Sequence, residues 1–512
     1  MTFESILFET SAERGDETLQ PPDFFTDLNL DQIVEAITAG KDDYNLKPFF
    51  FDPLTDVAAV EYRHQVFRDL ENPTLLEHVQ TFAKSMARMR EHLAQVQKIR
   101  YTYEQDAWFL EALDVYCAAL THLVKHLSTT PLTSRGFLAL RSYLTTYVRS
   151  DRFRALVAEK DRVQAKLATV DYAIVIKDNG FTVRKYESEP DYSAVVEATF
   201  EKFKQGAPKD YRVTFSSHYP DMNHIEAQVL AFVARLYPGE FGLLGGFRER
   251  NRDYLDEVVA RFDREVQFYV AYLEYIAGFR SAGLSLCYPK IAHGADKEIY
   301  DYEGFDLALA RTLVAKDSIV VCNDFHLTKA ERIIVVTGPN QGGKTTFARA
   351  FGQIHFLGAL GCLVAGNDAK IFLFDKLFTH FEREENIDNL RGKLEHDLFR
   401  LRGIVDQASS SSVVIMNEIF TSTTIRDAIF LSKNIMERFL RCDLLGVWVT
   451  FIDELASFNQ KTVSLVSTVV PENPAQRTFK IERRQADGLA YALAIAEKHH
   501  VTYRSLKERI PS

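Results

Sequence analysis

RIIVVTGPNQGGKTTFAR, residues 332–349, is the part of the chain from which the architecture is read. Ile333 to Val336 is an apolar, β-branched run, the pattern of a fully buried strand. Gly338-Pro339-Asn340-Gln341-Gly342-Gly343-Lys344-Thr345 follows and leads into a helix-compatible segment. This is G-x-x-x-x-G-K-[ST] with a strand before it and a helix after it, the context that gives the motif meaning. Glycines let backbone N–H groups curl around a phosphate, and the helix N-terminus adds partial positive charge. Lys344 is placed to reach β- and γ-phosphates, and Thr345 to hold Mg²⁺. The stretch therefore predicts an ATP site. A chance match is the alternative, and the flanking strand and helix count against it.

With 512 residues the chain has room for several domains and a large core. Apolar residues make up 46% and charged residues 26%, ordinary values for a globular protein. A net charge of −10 argues against a wholly basic nucleic-acid binder but leaves room for a local basic face. The five cysteines (Cys117, Cys287, Cys322, Cys362, Cys442) form no C-x-x-C pair, which suits a reduced, cytoplasmic chain. The first residues lack a basic segment followed by an apolar one, so no signal peptide is expected. No run of eighteen apolar residues is present, and no membrane span is expected.

Residues 1–22 read as a loosely ordered lead-in ending in Pro21-Pro22. A helical core domain is expected over 23–170, with helices at Phe24–Ile37, Leu75–Ile99, Glu104–Leu127 and Arg135–Lys166. A small β-containing insertion is expected over 171–218. Its parts are a hairpin, Tyr172–Lys177 and Phe181–Tyr186 across Asp178-Asn179-Gly180, a helix at Tyr192–Lys204 and a strand at Tyr211–Ser216. Helices return over 219–285, at His224–Leu236 and Leu255–Ala282, with Pro238–Gly242 as a loop. Residues 286–512 read as an α/β domain with a mainly parallel sheet. Its strands are expected at Ser318–Cys322, Ile333–Val336, Ile371–Phe374, Val413–Met416, Leu445–Val449 and Thr478–Arg483. The fold class is thus multidomain: an all-α bundle with a small β insertion, followed by an α/β P-loop, ABC-like ATPase domain.

A P-loop needs a partner strand that ends in acid, and Val413–Met416 followed by Asn417-Glu418 supplies one. Glu418 stands where a carboxylate polarises the attacking water. Asn417 occupies the usual place of an Asp in the Mg²⁺ shell and brings an acceptor without negative charge. At this point the chain resembles the MutS family of DNA mismatch-repair proteins. Gly338 through Thr346 is similar to that family's GPNMGGKST loop, and Val320–Asp324 to its V-P-N-D segment, which implies Asn323 near the base and ribose. Gly361–Ala365 resembles its G-x-x-V-P-A helix end. Met416-Asn417-Glu418-Ile419 with Thr423, Thr424 and Asp427 resembles M-D-E-I-G-R-G-T-S-T-x-D-G, and Asp487–Ala492 resembles the closing S-Y-G-I-x-V. The resemblance is dense over 286–498 and thinner before, where the helices resemble the family's core and levers and 172–216 its clamp.

The resemblance implies a homodimer through the ATPase domains, ATP and Mg²⁺ as cofactors, and a nucleic acid, DNA foremost, as partner. Three positions depart from the family pattern. Its Asp is Asn417, its Thr-His histidine is Phe451, and its serine-rich trans loop is Asn389–Glu395, where Arg391 or Lys393 reads either as a substitute or as a surface residue. The mismatch-reading and connector domains have no counterpart in the reading. The expected function is therefore a MutS-like ATPase coupling nucleotide state to nucleic-acid binding rather than to mismatch recognition. The alternative is a nucleotide-gated binding module with little turnover, acting on branched DNA, structured RNA, a ribosome or a protein. An ABC-type transporter subunit is disfavoured, since no LSGGQ-like run is present. On the hairpin, Lys177, Arg184 and Lys185 read either as phosphate contacts or as a solvated face. His499-His500 has no ligand set around it and reads as a surface pair.

Overall fold

The computed structural model describes residues 3–10, 17–177, 180–188, 222–382, 392–470 and 473–486, with positions 195, 196, 199, 502, 503 and 507. The chain forms two compact units, one from residues 1–3, 72–132 and 138–263, the other from 4–71, 133–137 and 264–512. Each unit gathers separate stretches, whereas the sequence reading cut the chain into consecutive segments.

In chain order the helices before the sheets are Leu30–Thr38 (α1), Val57–Leu70 (α2), Pro73–Lys98 (α3), Thr102–Thr129 (α4), Arg135–Val148 (α5) and Asp151–Leu167 (α6). The hairpin Tyr172–Lys177 (β1) and Gly180–Lys185 (β2) comes next, then helices His224–Leu236 (α7), Pro238–Arg250 (α8) and Glu257–Ser281 (α9). Helix α3 starts where Asn72 accepts a hydrogen bond from the Thr74 N–H and Pro73 fills the first helical position. Its Leu75, Val79, Phe82, Met86, Met89 and Val96 are buried, the stripe expected from their spacing. The single helix expected over 135–166 is two, because Ser150 caps α6 through the Phe153 N–H. The loop expected at Pro238–Gly242 is the first turn of α8, since burial of Phe241, Leu244 and Phe247 overrides the helix cost of its glycines. Helix α4 is long and apolar enough to cross a membrane by length and composition alone. Its Phe109, Leu113, Tyr116, Leu120 and Leu123 are buried, as in a core helix of a folded unit.

The second unit holds the sheets. Its strands are Leu286–Cys287 (β3), Lys290–Ala292 (β4), Ile299–Gly304 (β5), Asn323–Leu327 (β6), Ile333–Thr337 (β7), Val364–Ala365 (β8), Asp368–Phe372 (β9), Leu377–Phe381 (β10), Val413–Asn417 (β11), Leu445–Val449 (β12), Thr462–Val470 (β13) and Asn473–Arg483 (β14). Helices Leu307–Val314 (α10), Lys344–Ala359 (α11), Lys393–Gln407 (α12) and Ile425–Cys442 (α13) lie between them in sequence. A six-stranded sheet runs β10-β11-β12-β7-β13-β14, parallel throughout except for the antiparallel edge strand β14. Its strands β7, β11 and β12 are buried on both faces, which is why they read as unbroken apolar runs. One face packs Val335, Val414, Met416 and Trp448 against Leu401 and Ile404 of α12 and Met436 and Phe439 of α13.

A four-stranded sheet, β4-β9-β5-β6, was not foreseen. Its strand β5, IYDYEG, carries acids that hide the alternation. The strand expected at 318–322 is unpaired; pairing begins at Asn323, opposite Gly304, and Ile319 is exposed. Residues 3–10, expected within a loose lead-in, pack into the fold instead. Ser5 Oγ and the Ile6 N–H both donate to the buried Glu265 carboxylate, at 2.7 and 3.1 Å, and Ile6 and Leu7 are fully buried. Helix α2 was missed because charged residues interrupt its stripe, yet Arg63 and His64 are buried with Val60 and Phe67. Arg63 donates to the Leu7 and Leu360 carbonyls at 3.2 and 2.9 Å. It thereby places a cation at the C-terminal end of α11, where the helix dipole favours one. The turn residues 178–179, the element expected at 211–216, that expected at 192–204 apart from 195, 196 and 199, and residues 487–492 and 499–500 lie outside the described residues.

Candidate nucleotide site

The parallel register sets Val336, Val449, Asn417 and Phe381 side by side at the carboxyl ends of β7, β12, β11 and β10. Ligands of open parallel sheets sit beyond such ends. The exits are tied to one another: Glu418 N–H donates to the Val449 carbonyl at 2.9 Å, and Thr450 N–H to that of Val336 at 3.0 Å.

Between β7 and α11 the glycine-rich segment turns tightly against Ser467 of β13. Gly338 has φ 114°, and a methyl group there would stand 2.9 Å from the Ser467 carbonyl oxygen. At Gly342 a methyl group would stand 2.2 Å from Ser467 Oγ, which donates to the Gly342 carbonyl at 2.7 Å. Gly343 caps α11. Lys344 is buried, and its ammonium donates to the Gly338 and Pro339 carbonyls at 3.1 Å each and to Asn340 Oδ1 at 3.4 Å. Glu418 Oε1 stands 3.6 Å away. Burial pushes the Lys344 ammonium below the ordinary lysine value, and the Glu418 carboxylate pulls it back toward the charged form. Thr345 Oγ1 donates to Asn417 Oδ1 at 2.9 Å, which joins the loop to the end of β11. Gln341, Glu418 and Phe420 have φ of 59°, 51° and 62°, left-handed backbone that side chains adopt at a cost. Such strain gathers at functional sites.

Thus Gly338 to Thr345, Asn417 and Glu418, picked out from two stretches of sequence, meet at one edge of one sheet. Thr346 follows them on α11 and lines a small cavity with Asp301, Asp306 and Asn323. The Asn323 side chain is engaged by β14, donating to the Phe479 carbonyl at 3.1 Å and accepting from the Ile481 N–H at 2.8 Å. Three neighbours escaped the sequence reading. Ser467 braces the loop, Arg477 Nε donates to the Asn340 carbonyl at 3.1 Å, and Phe479 (φ 60°, 48% exposed) lies beside Gly343. They sit on β13 and β14, more than a hundred residues after the loop, and no local pattern marks them. Phe451 is half-exposed just past Thr450. Lys393 pairs with Glu382, and Arg391 lies outside the described residues. On the hairpin, the Lys185 ammonium lies 4.9 Å from the centre of the Tyr237 ring. The Thr345 hydroxyl, the Asn417 amide oxygen and the Glu418 carboxylate form an oxygen-only donor set, which fits a hard cation such as Mg²⁺.

Residues 334–506 match the MutS domain V family. Among curated relatives, the DNA mismatch repair protein MutS of Halalkalibacterium halodurans is 23% identical over 314 residues, 60% of this chain and 35% of that one. The MutS of Clostridium botulinum strain Loch Maree is 24% identical over 287 residues, 54% of this chain and 30% of that one. That of Orientia tsutsugamushi strain Boryong is 27% identical over 217 residues, 41% and 24% of the two chains. The matches thus span about a third or less of the relatives' own length. The family match takes in the glycine-rich loop, the β11 end and the surrounding sheet, and over that region the chain is similar to the MutS family.

Proposed function

We propose that the chain is a MutS-like ATPase whose nucleotide state controls binding of a nucleic acid, DNA foremost, by a homodimer meeting through its P-loop domains. The observation that carries the reading is the meeting of Lys344, Thr345, Asn417 and Glu418 at the carboxyl edge of a parallel sheet. In this reading the N–H groups of Gly338–Thr345 and the Lys344 ammonium bind the ATP phosphates, with Thr346 and Pro339 shaping the loop and Asn340 and Gln341 flanking it. The Lys344 ammonium makes its shortest contacts with neutral carbonyl oxygens, with the Glu418 carboxylate farther off at 3.6 Å, which leaves its charge available to phosphate. Thr345, and Asn417 through water, would hold Mg²⁺, which supplies charge neutralisation on the phosphates when bound. Glu418 orients a water and takes its proton as the water oxygen bonds to the γ-phosphorus and the bond to the bridging oxygen breaks, releasing ADP and phosphate. Asn323 supports the base side of the site through β14, where Phe479 offers an exposed ring face.

A specific observation favours the second reading, a nucleotide-gated module with slow turnover. The oxygen that meets Thr345 belongs to an uncharged amide, Asn417. Phosphate release with and without nucleic acid separates the two. Turnover stimulated by one nucleic acid and lost in Glu418→Gln, with ATP still bound, supports the ATPase. Bound ATP with no turnover on duplex, branched or single-stranded DNA or on RNA supports the module.

A further inference from the structure

Far from the glycine-rich loop in sequence, three imidazoles converge on the helical unit. His122 and His126 are four residues apart on α4, which puts both rings on one face of that helix. Helix α3, joined to α4 by the short Ile99–Tyr101 connection, brings His78 to the same place. One ring nitrogen from each lies within 4.8 Å of the other two. The His78 and His126 rings are stacked with centres 3.6 Å apart, and the His122 ring centre is 4.3 Å from that of His126. His122 is exposed and the other two are half-buried. Among the described residues, none of the three rings makes a hydrogen bond or an ion pair with another side chain, so their lone pairs are uncommitted.

Three imidazoles in mutual ring contact have little reason to gather for packing alone, since Leu75, Val79, Leu123 and Leu127 of the same two helices are already fully buried. We propose that His78, His122 and His126 form a site for one divalent transition-metal ion of the zinc class, open to solvent at its remaining position. Imidazole suits such ions, and three protein ligands with an open fourth position is an established zinc geometry. In a tetrahedral site with Zn–N of ~2.0–2.1 Å the nitrogens stand roughly 3.3 Å apart. The nitrogens already lie within 4.8 Å of one another, so binding an ion requires them to draw together by side-chain rotation. The ion joins α3 to α4 and so stabilises the helical pair directly. Among the described residues no carboxylate orients the second ring nitrogens, which sets the affinity below that of a fully supported structural zinc site.

The test uses the full chain, stripped of metal by chelation and free of nucleotide, with zinc chloride as the probe. Equilibrium dialysis at ~10 μM free zinc, a regime suited to ligands without outer-shell support, gives the bound equivalents by elemental analysis. Thermal unfolding is recorded with and without zinc. The expected result is one equivalent lost in His122→Ala and in the triple alanine variant, with the zinc-dependent rise in Tm lost as well. His224→Ala, an exposed histidine elsewhere in the unit, retains both. His122 is itself exposed, so His122→Ala opens no core cavity. Cobalt in place of zinc should give the intense visible bands of a tetrahedral site in the wild type alone. Unchanged stoichiometry in the triple variant, or no zinc bound by the wild type, overturns the proposal.

Discussion

The helical unit and the sheet unit bury charge in different ways. In the helical unit, three buried charges have an opposite partner: Asp263 with Arg90, Lys160 with Asp114 and Asp161 at 2.7 Å each, and Asp106 with Arg248 at 3.0 Å. In the sheet unit Arg332 likewise pairs with Asp443, but the buried cations Lys344, Arg63 and Lys297 donate their hydrogen bonds mainly to carbonyl oxygens, with Glu418 standing 3.6 Å from Lys344. A cation paired to a carboxylate has spent its charge on the fold. One cradled mainly by neutral dipoles keeps more of it for a ligand, and Lys344 lies where the ligand is expected.

Substituting one cation in each unit puts this contrast at risk. Arg90→Ala leaves Asp263 buried without its partner and should cost about 3–5 kcal/mol in urea unfolding, with ATP affinity unchanged within twofold. Lys344→Ala should do the reverse. The loss of a charge-assisted contact lowers ATP affinity by at least ~100-fold, read by calorimetric titration, while the fold survives. Equal stability losses in the two variants would erase the distinction.

Acid sharpens it further. Burial holds His64 and His355 of the sheet unit down to about 4, against an ordinary value of 6.5. Their neutral forms are native, so their contribution is complete above pH 6.5 and is lost as pH falls toward 4. Burial pushes Asp263 of the helical unit up to about 6 despite Arg90. Its contribution has the opposite sign, present below pH 4 and lost as pH rises through 6. Between pH 7.5 and 5, His355→Leu should shrink the acid loss of stability by about 2 kcal/mol, while Asp263→Asn should remove an acid gain of about 1 kcal/mol. Denaturant titrations at the two pH values check both signs.

The smallest effect is expected at Phe451. It is half-exposed at the end of β12, so Phe451→Ala should change stability by less than about 0.5 kcal/mol. A larger change in thermal unfolding would show that the ring packs as part of the fold.

Legibility followed locality. β7, β11 and β12 are runs buried on both faces, and the glycine-rich loop depends on residues adjacent in sequence, so the candidates Lys344, Thr345, Asn417 and Glu418 are legible locally, and the fold brings them together. β5 was lost because Asp301 and Glu303 break its apolar pattern. The packing of residues 4–71 with the sheet depends on long-range contacts such as Thr379 with Asp27 at 2.6 Å and Gln353 with the Leu28 carbonyl at 2.9 Å. Neither leaves a local signature. Ser467 and Arg477 reach the loop from β13 and β14, strands with no motif of their own. The histidine cluster was missed for the same reason: the spacing of His122 and His126 is visible in sequence, but His78 joins them only through the pairing of α3 with α4.

The most direct test of the account is steady-state phosphate release from ATP by the purified chain and by Glu418→Gln, each with duplex, branched and single-stranded DNA and with RNA. The account predicts turnover in the wild type that one nucleic acid stimulates, and a fall of at least ~100-fold in Glu418→Gln with ATP binding retained. Equal rates for the two proteins would contradict it, because the carboxylate beside Lys344 would then have no part in the chemistry.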